Sequence, residues 1–451
     1  MPGADVPGGS GGSQSSSGQS GMGDGSGPGQ QPVQQQQPVD PRAQQQAELD
    51  ALRRDQYGPR EGMWFGAGPL VWWIKKAPAP GPLVTTGTTT GQGILGQPDT
   101  QILFGTDRFD FERFFGFQVH GGTWLNCLHN WGIEAGGFYL AQQSIDTTFA
   151  SDSSGNPLLA RPFNDAVTAT PFRLLVASPG VAGQPALLTG SVSVHADSQF
   201  WGSEVNLIRN LTSCEDWHFD MLFGFRYLDL AENLRVVSAS QSMVPGLLSF
   251  NAPTPQNPLA TIPLSSLTVA DRFFTRNQFY GGQIGGRFER WSGPFFLSLL
   301  GKVALGPNHE SIKTFGFSQG QAVNGGVATQ TGGLLAVGNV ILPPQFVTPG
   351  RAAILGNIGR TTTNWFVVVP EVGVQAGVQM TEAIRVSLGY NFLFINSVAR
   401  PGSQVNPTIN RALVPSDPVF GSASGPNQPA VSSKQETFFA HGALLNLELC
   451  Y

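Results

Sequence analysis

The last eleven residues of the chain, 441–451, alternate strictly between two sets of side chains. One set is apolar and ends on an aromatic residue: Ala443, Leu445, Leu447, Leu449 and Tyr451. The residues between them are mostly polar or small. Because successive side chains of a β-strand point to opposite faces, this pattern predicts a strand with one continuous apolar face. Such a strand, ending on an interfacial aromatic, is typical of a membrane-spanning β-barrel.

The same period of two recurs along the chain from residue 63 onwards. In 217–227, for example, Trp, Phe, Met and Tyr side chains alternate with a second set that includes His218, Asp220 and Arg226. With the C-terminal segment, the chain has about ten stretches of membrane-crossing length, an even number as in bacterial outer-membrane barrels. We therefore predict an all-β fold, a transmembrane antiparallel β-barrel of about ten strands.

The predicted connections alternate between short and long. The short ones fall at 126–130, 209–215, 292–293 and 381–383. The long ones fill 76–110, 145–197, 231–275, 307–361 and 398–433. Short periplasmic turns at one rim and long extracellular loops at the other are typical of outer-membrane barrels. The long connections are rich in Pro, Gly, Thr and Asn, so we expect surface lobes with little regular structure.

Composition supports a membrane barrel and excludes other classes of protein. Charged residues make up 12% of the chain, about half the share in soluble domains, so much apolar surface must be buried or face lipid. No window holds the roughly 18 consecutive apolar residues of a transmembrane helix. The net charge of −5 offers no basic surface for nucleic acid, and we expect no nucleic-acid partner.

Residues 1–60 are dominated by Gly, Ser, Gln and Pro. Such a segment cannot bury enough apolar surface to fold, so we predict a disordered arm at 1–60, followed by the barrel at 61–451. The first residues show neither a basic region nor an apolar region of a secretory signal peptide. This conflicts with the bacterial outer membrane, where we expect the barrel to lie. A processed form or a wrongly assigned start would explain the conflict.

A soluble β-sandwich or barrel also has alternating strands and is the main alternative fold. The positions of the aromatic residues argue against it. Trp and Tyr lie mostly near the ends of the predicted strands, where interfacial girdles form, whereas a soluble core would place them at strand centres. Examples are Tyr139, Trp201, Tyr227, Tyr280 and Tyr390.

The second face of the predicted strands carries charged side chains of both signs. In a soluble protein this face would be solvated, but in a barrel it lines the interior. The predicted lumen-lining residues are His120, Glu134, Glu204, His218, Asp220, Arg226, Arg287, Glu289, Lys302, Glu371, Arg385 and Glu448. They form either a wetted channel or an ion-paired network that fills a narrow barrel. The sequence leaves both alternatives open.

The sequence shows no pattern that would support catalysis or cofactor binding. The G-x-G-x-x-G match at 91–96 is followed by Pro98 and by no predicted helix, so we interpret it as a loop. The six histidines show no metal-ligand spacing with the three cysteines, and no G-x-S-x-G elbow is present. We therefore predict no catalytic residue, no cofactor, no metal and no enzymatic activity.

Two of the cysteines, Cys127 and Cys214, fall in predicted short turns and hence at the same rim. The strands next to them are predicted to be antiparallel neighbours. One hypothesis is a disulfide between these cysteines on the periplasmic side, which is an oxidising compartment. The alternative is two free thiols.

Several short motifs carry a resemblance to a known family. They are Trp-Phe-Gly-Ala at 64–67, Leu-Val-Trp-Trp-Ile-Lys at 70–75, Gly-Thr-Trp-Leu-Asn-Cys at 122–127 and Phe-Gly-Phe-Arg-Tyr-Leu-Asp at 223–229. In their order, the chain resembles the β-barrel porins of bacterial outer membranes that occur in multi-copy paralogous sets. The resemblance covers 63–451 and implies an outer-membrane barrel of unassigned transport role. Pro69 departs from the pattern because it cannot donate to a strand ladder, which predicts a bulge.

The expected function is that of a porin-like channel that passes small solutes through a polar, charge-lined interior. The alternative is a structural or surface-display barrel with a filled lumen and large extracellular loops. The expected partners are outer-membrane lipid and the barrel-assembly machinery, and a homo-oligomer is left open. The assembly machinery would recognise the C-terminal strand through Leu445, Leu447, Leu449 and Tyr451.

Overall fold

The computed structural model describes residue 45 and residues 62–126, 128–180, 185–214, 216–251, 260–338, 356–422 and 425–451. Apart from residue 45, all of these belong to one unit of the chain, Arg53–Tyr451. The predicted arm at 1–60 lies outside the described residues, with residue 45 as the one exception, so its disorder stays a prediction. Within the described ranges, no helix combines the length and the apolar character needed to cross a membrane.

β-Strands account for most of the regular structure in these ranges. They are β1 (Met63–Ile74), β2 (Val84–Thr86), β3 (Gln101–Phe104), β4 (Phe114–Trp124), β5 (Trp131–Ala150), β6 (Leu159–Asp165), β7 (Pro171–Ala177), β8 (Leu188–Ser213), β9 (Trp217–Ser242), β10 (Leu248–Asn251), β11 (Thr261–Ser292), β12 (Phe295–Ala322), β13 (Val327–Thr331), β14 (Gly359–Thr381), β15 (Ile384–Ala399), β16 (Thr408–Ile409) and β17 (Gln435–Cys450). Two short helices, α1 (Pro401–Gln404) and a 3-10 helix at Arg411–Leu413, follow β15.

Ten of these strands close into one antiparallel barrel. Around the ring they run in the order β11, β9, β8, β5, β4, β1, β17, β15, β14 and β12, and β12 pairs with β11 to complete it. The first and last strands are neighbours, with Trp64 opposite Cys450. Closure allows the backbone groups of a spanning strand to bond without water. The prediction of a barrel of about ten strands is confirmed.

The connections differ in length between the two rims. Short turns lie at 125–130, 214–216, 293–294 and 382–383, on the same rim as the start of β1 and the end of β17. The other rim carries the long connections, at 75–113, 151–187, 243–260, 323–358 and 400–434. The predicted asymmetry between short periplasmic turns and long extracellular connections is confirmed.

The extracellular side has far more regular structure than predicted. The strands β8, β9, β11 and β12 contain 26, 26, 32 and 28 residues, respectively. Much of 145–197, 231–275 and 307–361 is therefore strand. In addition, β2, β3, β6, β7 and β16 form a separate five-stranded sheet within the long connections. The expectation of lobes with little regular structure is wrong.

This error has a physical cause at the outer edge of the membrane. On β9 the outward side chains are apolar up to Tyr227, and Phe223 and Phe225 are exposed to the surroundings of the barrel. Beyond Tyr227 the apolar side chains point inward instead, and Leu230 and Val236 are buried. The outward positions there leave the lipid and meet water, so they are mostly polar. The period of two continues, but its faces are exchanged.

Aromatic residues mark this edge around the barrel. The rings of Trp201 and Tyr227 have their centroids 5.0 Å apart, and those of Tyr227 and Tyr280 are 5.1 Å apart. Tyr139 and Tyr390 are also exposed on the outer surface, on β5 and β15. Aromatic girdles of this kind lie at the interface between membrane and water. We call these five residues the aromatic girdle.

Pro69 interrupts the pairing of β1 with β17 but causes no bulge. The register is the same on both sides of it, from Ala67 opposite Leu447 to Leu70 opposite Leu444. The expectation of a bulge is wrong. Pro69 is exposed and points outward, so the ladder loses bonds locally without any displacement of the strand.

An arginine in the middle of the lipid-facing surface should destabilise the barrel. We expect Phe223→Arg to lower the free energy of unfolding by about 2–4 kcal/mol, because a cation at the membrane midplane is poorly solvated. The matched control is Ala239→Arg, which lies on the same strand and the same face but above the aromatic girdle, and should change stability little. Urea unfolding in lipid vesicles measures both. Equal destabilisation by the two variants would contradict the assigned membrane position.

Candidate functional site

The periplasmic half of the barrel interior encloses a cavity of about 240 Å³. The structure places all twelve predicted lumen residues on its wall. They come from strands all around the ring, and the period of two points each of them inward. Small residues make space between them. A Cβ on Gly66 would lie 2.3 Å from the ring of His120, so only glycine leaves room for that side chain.

Four of the lining residues form a compact ion-pair cluster. Lys302 Nζ lies 2.7 Å from Glu204 and 3.5 Å from Glu371. Arg226 lies 3.3 Å from Glu204 and also contacts Glu371 directly. Since β9 and β14 are separated in the ring by β11 and β12, the bond between Arg226 and Glu371 reaches across part of the lumen. Charged hydrogen bonds of this kind hold long side chains in one geometry.

A second set of charged groups lies around the same cavity. Arg385 lies 3.4 Å from Glu448 and 3.9 Å from Glu289. His120 lies 3.1 Å from the other oxygen of Glu448, and His218 lies near Glu289. In the same cavity, an arginine of β11 binds a glutamate of β5: Arg287 Nη2 lies 2.7 Å from Glu134. Ion pairs therefore line much of the cavity in the periplasmic half.

An apolar layer crosses the lumen directly above this polar half. Its members are inward-facing side chains that are at most 2% exposed: Leu70, Trp72, Phe114, Leu140, Phe200, Leu228, Phe279, Leu393, Phe438 and Leu444. Several are the sequence neighbours of girdle residues and so lie at the same height. Rings meet in series from Trp72 through Phe138 and Phe200 to Phe438, with centroids 5.0, 5.1 and 5.2 Å apart. We call this set the apolar layer.

The apolar layer is not among the features predicted from the sequence. The charged residues, predicted to line the interior, line only its periplasmic half. A signal was available, because apolar side chains change parity after Tyr227, from Phe225 to Leu228 and Leu230. A change of parity without a turn indicates that the apolar face has moved from the lipid to the lumen.

The five-stranded sheet lies inside the outer mouth of the barrel. Its Arg161, on β6, is 1% exposed and lies 2.5 Å from Asp271, which is fully buried on the inner face of β11. The other oxygen of Asp271 accepts hydrogen bonds from the backbone N–H groups of Leu335 and Ala336, at 2.8 and 2.7 Å. We call the sheet together with the segment 332–338 the cap. One carboxylate therefore holds two separate parts of the cap.

A second buried ion pair ties other connections to the wall. Arg400, just after β15, lies 2.5 Å from Glu232 on β9, and both side chains are at most 1% exposed. Arg400 also donates to the backbone carbonyl oxygens of Lys75 and Lys76, at 2.8 and 3.2 Å. Asn277 on β11 adds a hydrogen bond to the carbonyl of Ala399 at 2.8 Å. The segments that leave β1 and β15 thus cross the lumen and bind the opposite wall.

Comparison with known proteins decides the family. The family described as putative beta barrel porin-7 matches residues 64–341 and 347–451. The chain belongs to this family. Its outer-membrane location follows from the family, and the family is one of porins rather than of enzymes. A search among curated proteins finds no match to the sequence.

Solved structures of outer-membrane proteins show a remote similarity to this porin-7 family member. The outer membrane protease OmpT from Escherichia coli is 7% identical, with a TM-score of 0.33, covering 88% of this chain and 98% of that chain. The Ralstonia pickettii toluene transporter TbuX is 8% identical, with a TM-score of 0.15, covering 87% and 90%. The Pseudomonas putida toluene transporter TodX is 11% identical, with a TM-score of 0.15, covering 86% and 89%. Scores this low support no inference about activity.

The G-x-G-x-x-G match is part of a loop in this porin-7 family member. It lies in turns, where Gly93 and Gly96 have positive φ. Beside it, hydrogen bonds from the hydroxyl and the backbone N–H of Thr88 lower the pKa of Asp99, which fixes a loop. Within the described ranges, no group of three or more His, Cys, Asp or Glu is placed to hold a metal ion.

The disulfide hypothesis stays a prediction. Cys214 is an exposed, free cysteine at the periplasmic rim, whereas Cys127 lies outside the described residues. The turns that carry them are close, because Asn210 donates its backbone N–H to the carbonyl of Asn130 at 3.0 Å. Peptide mapping by mass spectrometry under non-reducing conditions decides between a linked peptide pair and two free thiols.

Proposed function

We propose that this protein is a closed outer-membrane barrel that anchors a structured cap at the cell surface, rather than an open pore for small solutes. The apolar layer carries the proposal, because it crosses the lumen at the height of the aromatic girdle. A polar solute would lose its hydration there, because the described side chains of the layer are at most 2% exposed and pack against one another. Of the two functions that the sequence leaves open, surface display with a filled lumen fits this geometry better.

The connection of the cap to the wall supports the same proposal. Two buried ion pairs and backbone hydrogen bonds fix the long connections to the barrel wall. Charge pairs that are buried on both sides, such as Arg161 with Asp271 and Arg400 with Glu232, hold a specific arrangement. The result is a rigid platform above the membrane, suited to presenting a constant surface to the outside.

Conductance in planar lipid bilayers tests the closed state. We expect no steady conductance steps from the folded wild-type protein. The double variant Phe200→Ala/Phe438→Ala removes two rings that meet in the apolar layer, so we expect it to open a water path and produce discrete steps. The matched control Phe225→Ala/Phe392→Ala removes two rings from the lipid-facing surface and should stay silent. A shift in gel mobility on heating confirms folding of each protein, and steady steps from the wild type would overturn the proposal.

A gated channel is the second candidate, and the family description together with the charged cavity favours it. In that case a stimulus would displace the cap and the apolar layer. We expect a gated channel to conduct only above a threshold voltage, and to conduct below that threshold when Asp271→Ala releases the cap, because Asp271 binds both Arg161 and the segment 332–338. An unchanged threshold in Asp271→Ala would exclude gating by the cap.

We also propose that the assembly machinery recognises the C-terminal strand through its exposed apolar face. Leu445, Leu447 and Tyr451 point outward into lipid, while the strand closes the barrel by pairing with β1. We expect Tyr451→Ala to slow assembly in cells while leaving the refolded barrel stable. Pulse-chase measurement of the heat-modifiable form checks the rate, and an unchanged rate would contradict recognition through Tyr451.

A further inference from the structure

A band of positive charge lies on the outer surface of the barrel, on the extracellular side of the aromatic girdle. Its members are exposed side chains on four neighbouring strands, β9, β11, β12 and β14: Arg235, Arg272, Arg276, Lys313 and Arg360. We call these five residues the cationic band. It is separate from the lumen, the apolar layer and the cap.

The cations of this band are placed against one another rather than against carboxylates. Arg235 is the direct cross-strand partner of Arg272, and Lys313 is that of Arg360. Like charges directly opposite each other destabilise a sheet, so the arrangement costs stability in the isolated protein. Among the described residues, Arg276 is the one member of the band within ion-pair distance of a carboxylate.

Three carboxylates of the same strands point the other way. Glu232, Asp271 and Glu310 lie on the same stretches of β9, β11 and β12, but they face the lumen and are buried. The outward-facing Asp229 is bound by Arg276 at 2.7 Å. Two further outward carboxylates, Asp146 and Asp197 on the neighbouring β5 and β8, bind His195. Among the described residues on the extracellular side of β9, β11, β12 and β14, the outer surface therefore carries five cations and one carboxylate, an excess of positive charge.

The height of the cationic band above the membrane limits which lipid headgroups can reach it. On β11, Arg276 and Arg272 lie four and eight residues before Tyr280 of the girdle, on its extracellular side. With about 3.3 Å per residue and a tilt of about 40°, they stand roughly 10 and 20 Å above the girdle. The headgroup layer of a phospholipid is only about 5–8 Å deep. A headgroup that reaches the whole band must be larger.

We infer that the cationic band binds the phosphate groups of an outer-leaflet glycolipid whose phosphorylated sugar headgroup extends past the phospholipid layer. Arginine pairs with phosphate in a bidentate geometry, and each anion placed between Arg235 and Arg272 would relieve their repulsion. The band also contains apolar surface, since Lys313 lies 5.6 Å from the centre of the Phe274 ring. A sugar ring can pack against such a surface.

Binding of a phosphorylated lipopolysaccharide to the purified, detergent-solubilised full chain tests the inference. We expect Arg235→Ala/Lys313→Ala to weaken binding roughly 25-fold, at about 5-fold for each cation removed. The matched control is Arg290→Ala, an exposed outward arginine on β11 at the periplasmic rim, which should bind as the wild type does. Without lipid, the double variant should unfold at a higher temperature than the wild type, because like-charge repulsion is removed.

Competing ligands distinguish the sources of phosphate. Dephosphorylated lipopolysaccharide and phosphatidylglycerol should both bind more weakly than the phosphorylated glycolipid, and inorganic phosphate should not displace it at equal concentration. Equal binding of phosphatidylglycerol would overturn the assignment to a glycolipid. Complete displacement by inorganic phosphate would indicate a simple anion site, and an unchanged affinity of the double variant would remove the band from lipid binding altogether.

Discussion

Asp271→Ala is expected to release the cap from the barrel wall. The carboxylate of Asp271 is fully buried and neutralises Arg161, so its loss leaves a buried guanidinium without a counter-charge. Breaking a buried pair by removal of one partner typically costs about 3–5 kcal/mol. The same change leaves the N–H groups of Leu335 and Ala336 without an acceptor. The measurement is amide hydrogen exchange in 332–338, and we expect its rate to rise sharply.

Two further variants separate the charge from the hydrogen bonds. Asp271→Asn keeps an acceptor oxygen but removes the charge, so we expect an intermediate rise in exchange. Combined with Arg161→Met, it also removes the unpaired cation, and much of the stability should return, as when both partners of a buried pair are replaced. The exposed ion pair of Lys76 and Asp110 serves as control, because water screens a surface pair and its loss changes stability little. Equal effects of Asp271→Ala and Asp110→Ala would contradict the role of Asp271.

The membrane-spanning part of the fold could be predicted because its cause is local. Side chains on 217–227 and 441–451 alternate with a period of two, and lipid on one side enforces that alternation. The same parity indicates which residues face inward, and the structure indeed lines one cavity with all twelve candidates. The parity of a position predicts which face of the strand its side chain lies on, but not which residue that side chain contacts. The contact of Arg226 with Glu371 depends on the order of strands around the ring, which no local pattern contains.

The extracellular part could not be predicted by the same argument. Above the aromatic girdle, the outer face of the strands meets water instead of lipid, and the inner face meets packed protein. The apolar side chains of 228–242 therefore lie on the opposite face from those of 217–227, and the sequence resembles a loop. The anchoring residues carry no periodic signal at all. Arg161 stands alone among apolar residues in a long connection, and Asp271 is separated from it by about a quarter of the chain. Only the packing of the cap inside the barrel brings them together.

The two buried ion pairs stabilise different parts of the molecule. Asp271 holds the cap to the wall, so its loss should leave the ring of strands intact. Arg400 instead connects the ends of β1 and β15 to β9 through Glu232 and the carbonyl oxygens of Lys75 and Lys76. In the ring, β9 lies across from β1 and β15. The loss of Arg400 should therefore weaken the barrel itself.

Arg400→Ala is expected to lower the free energy of unfolding of the whole barrel by about 3–5 kcal/mol, because Glu232 would remain buried without a cation. Both carbonyl oxygens that Arg400 binds would also lose a donor. The heat-modifiable band should disappear at a lower temperature than in the wild type, and urea unfolding in vesicles gives the magnitude. Arg400→Lys keeps the charge but not the forked geometry of the guanidinium. Its free energy of unfolding should therefore lie between those of the wild type and Arg400→Ala. If Arg400→Ala raised exchange only in 400–434 and left the barrel midpoint unchanged, the pair would act on one loop alone, and the cross-lumen role assigned to it would be wrong.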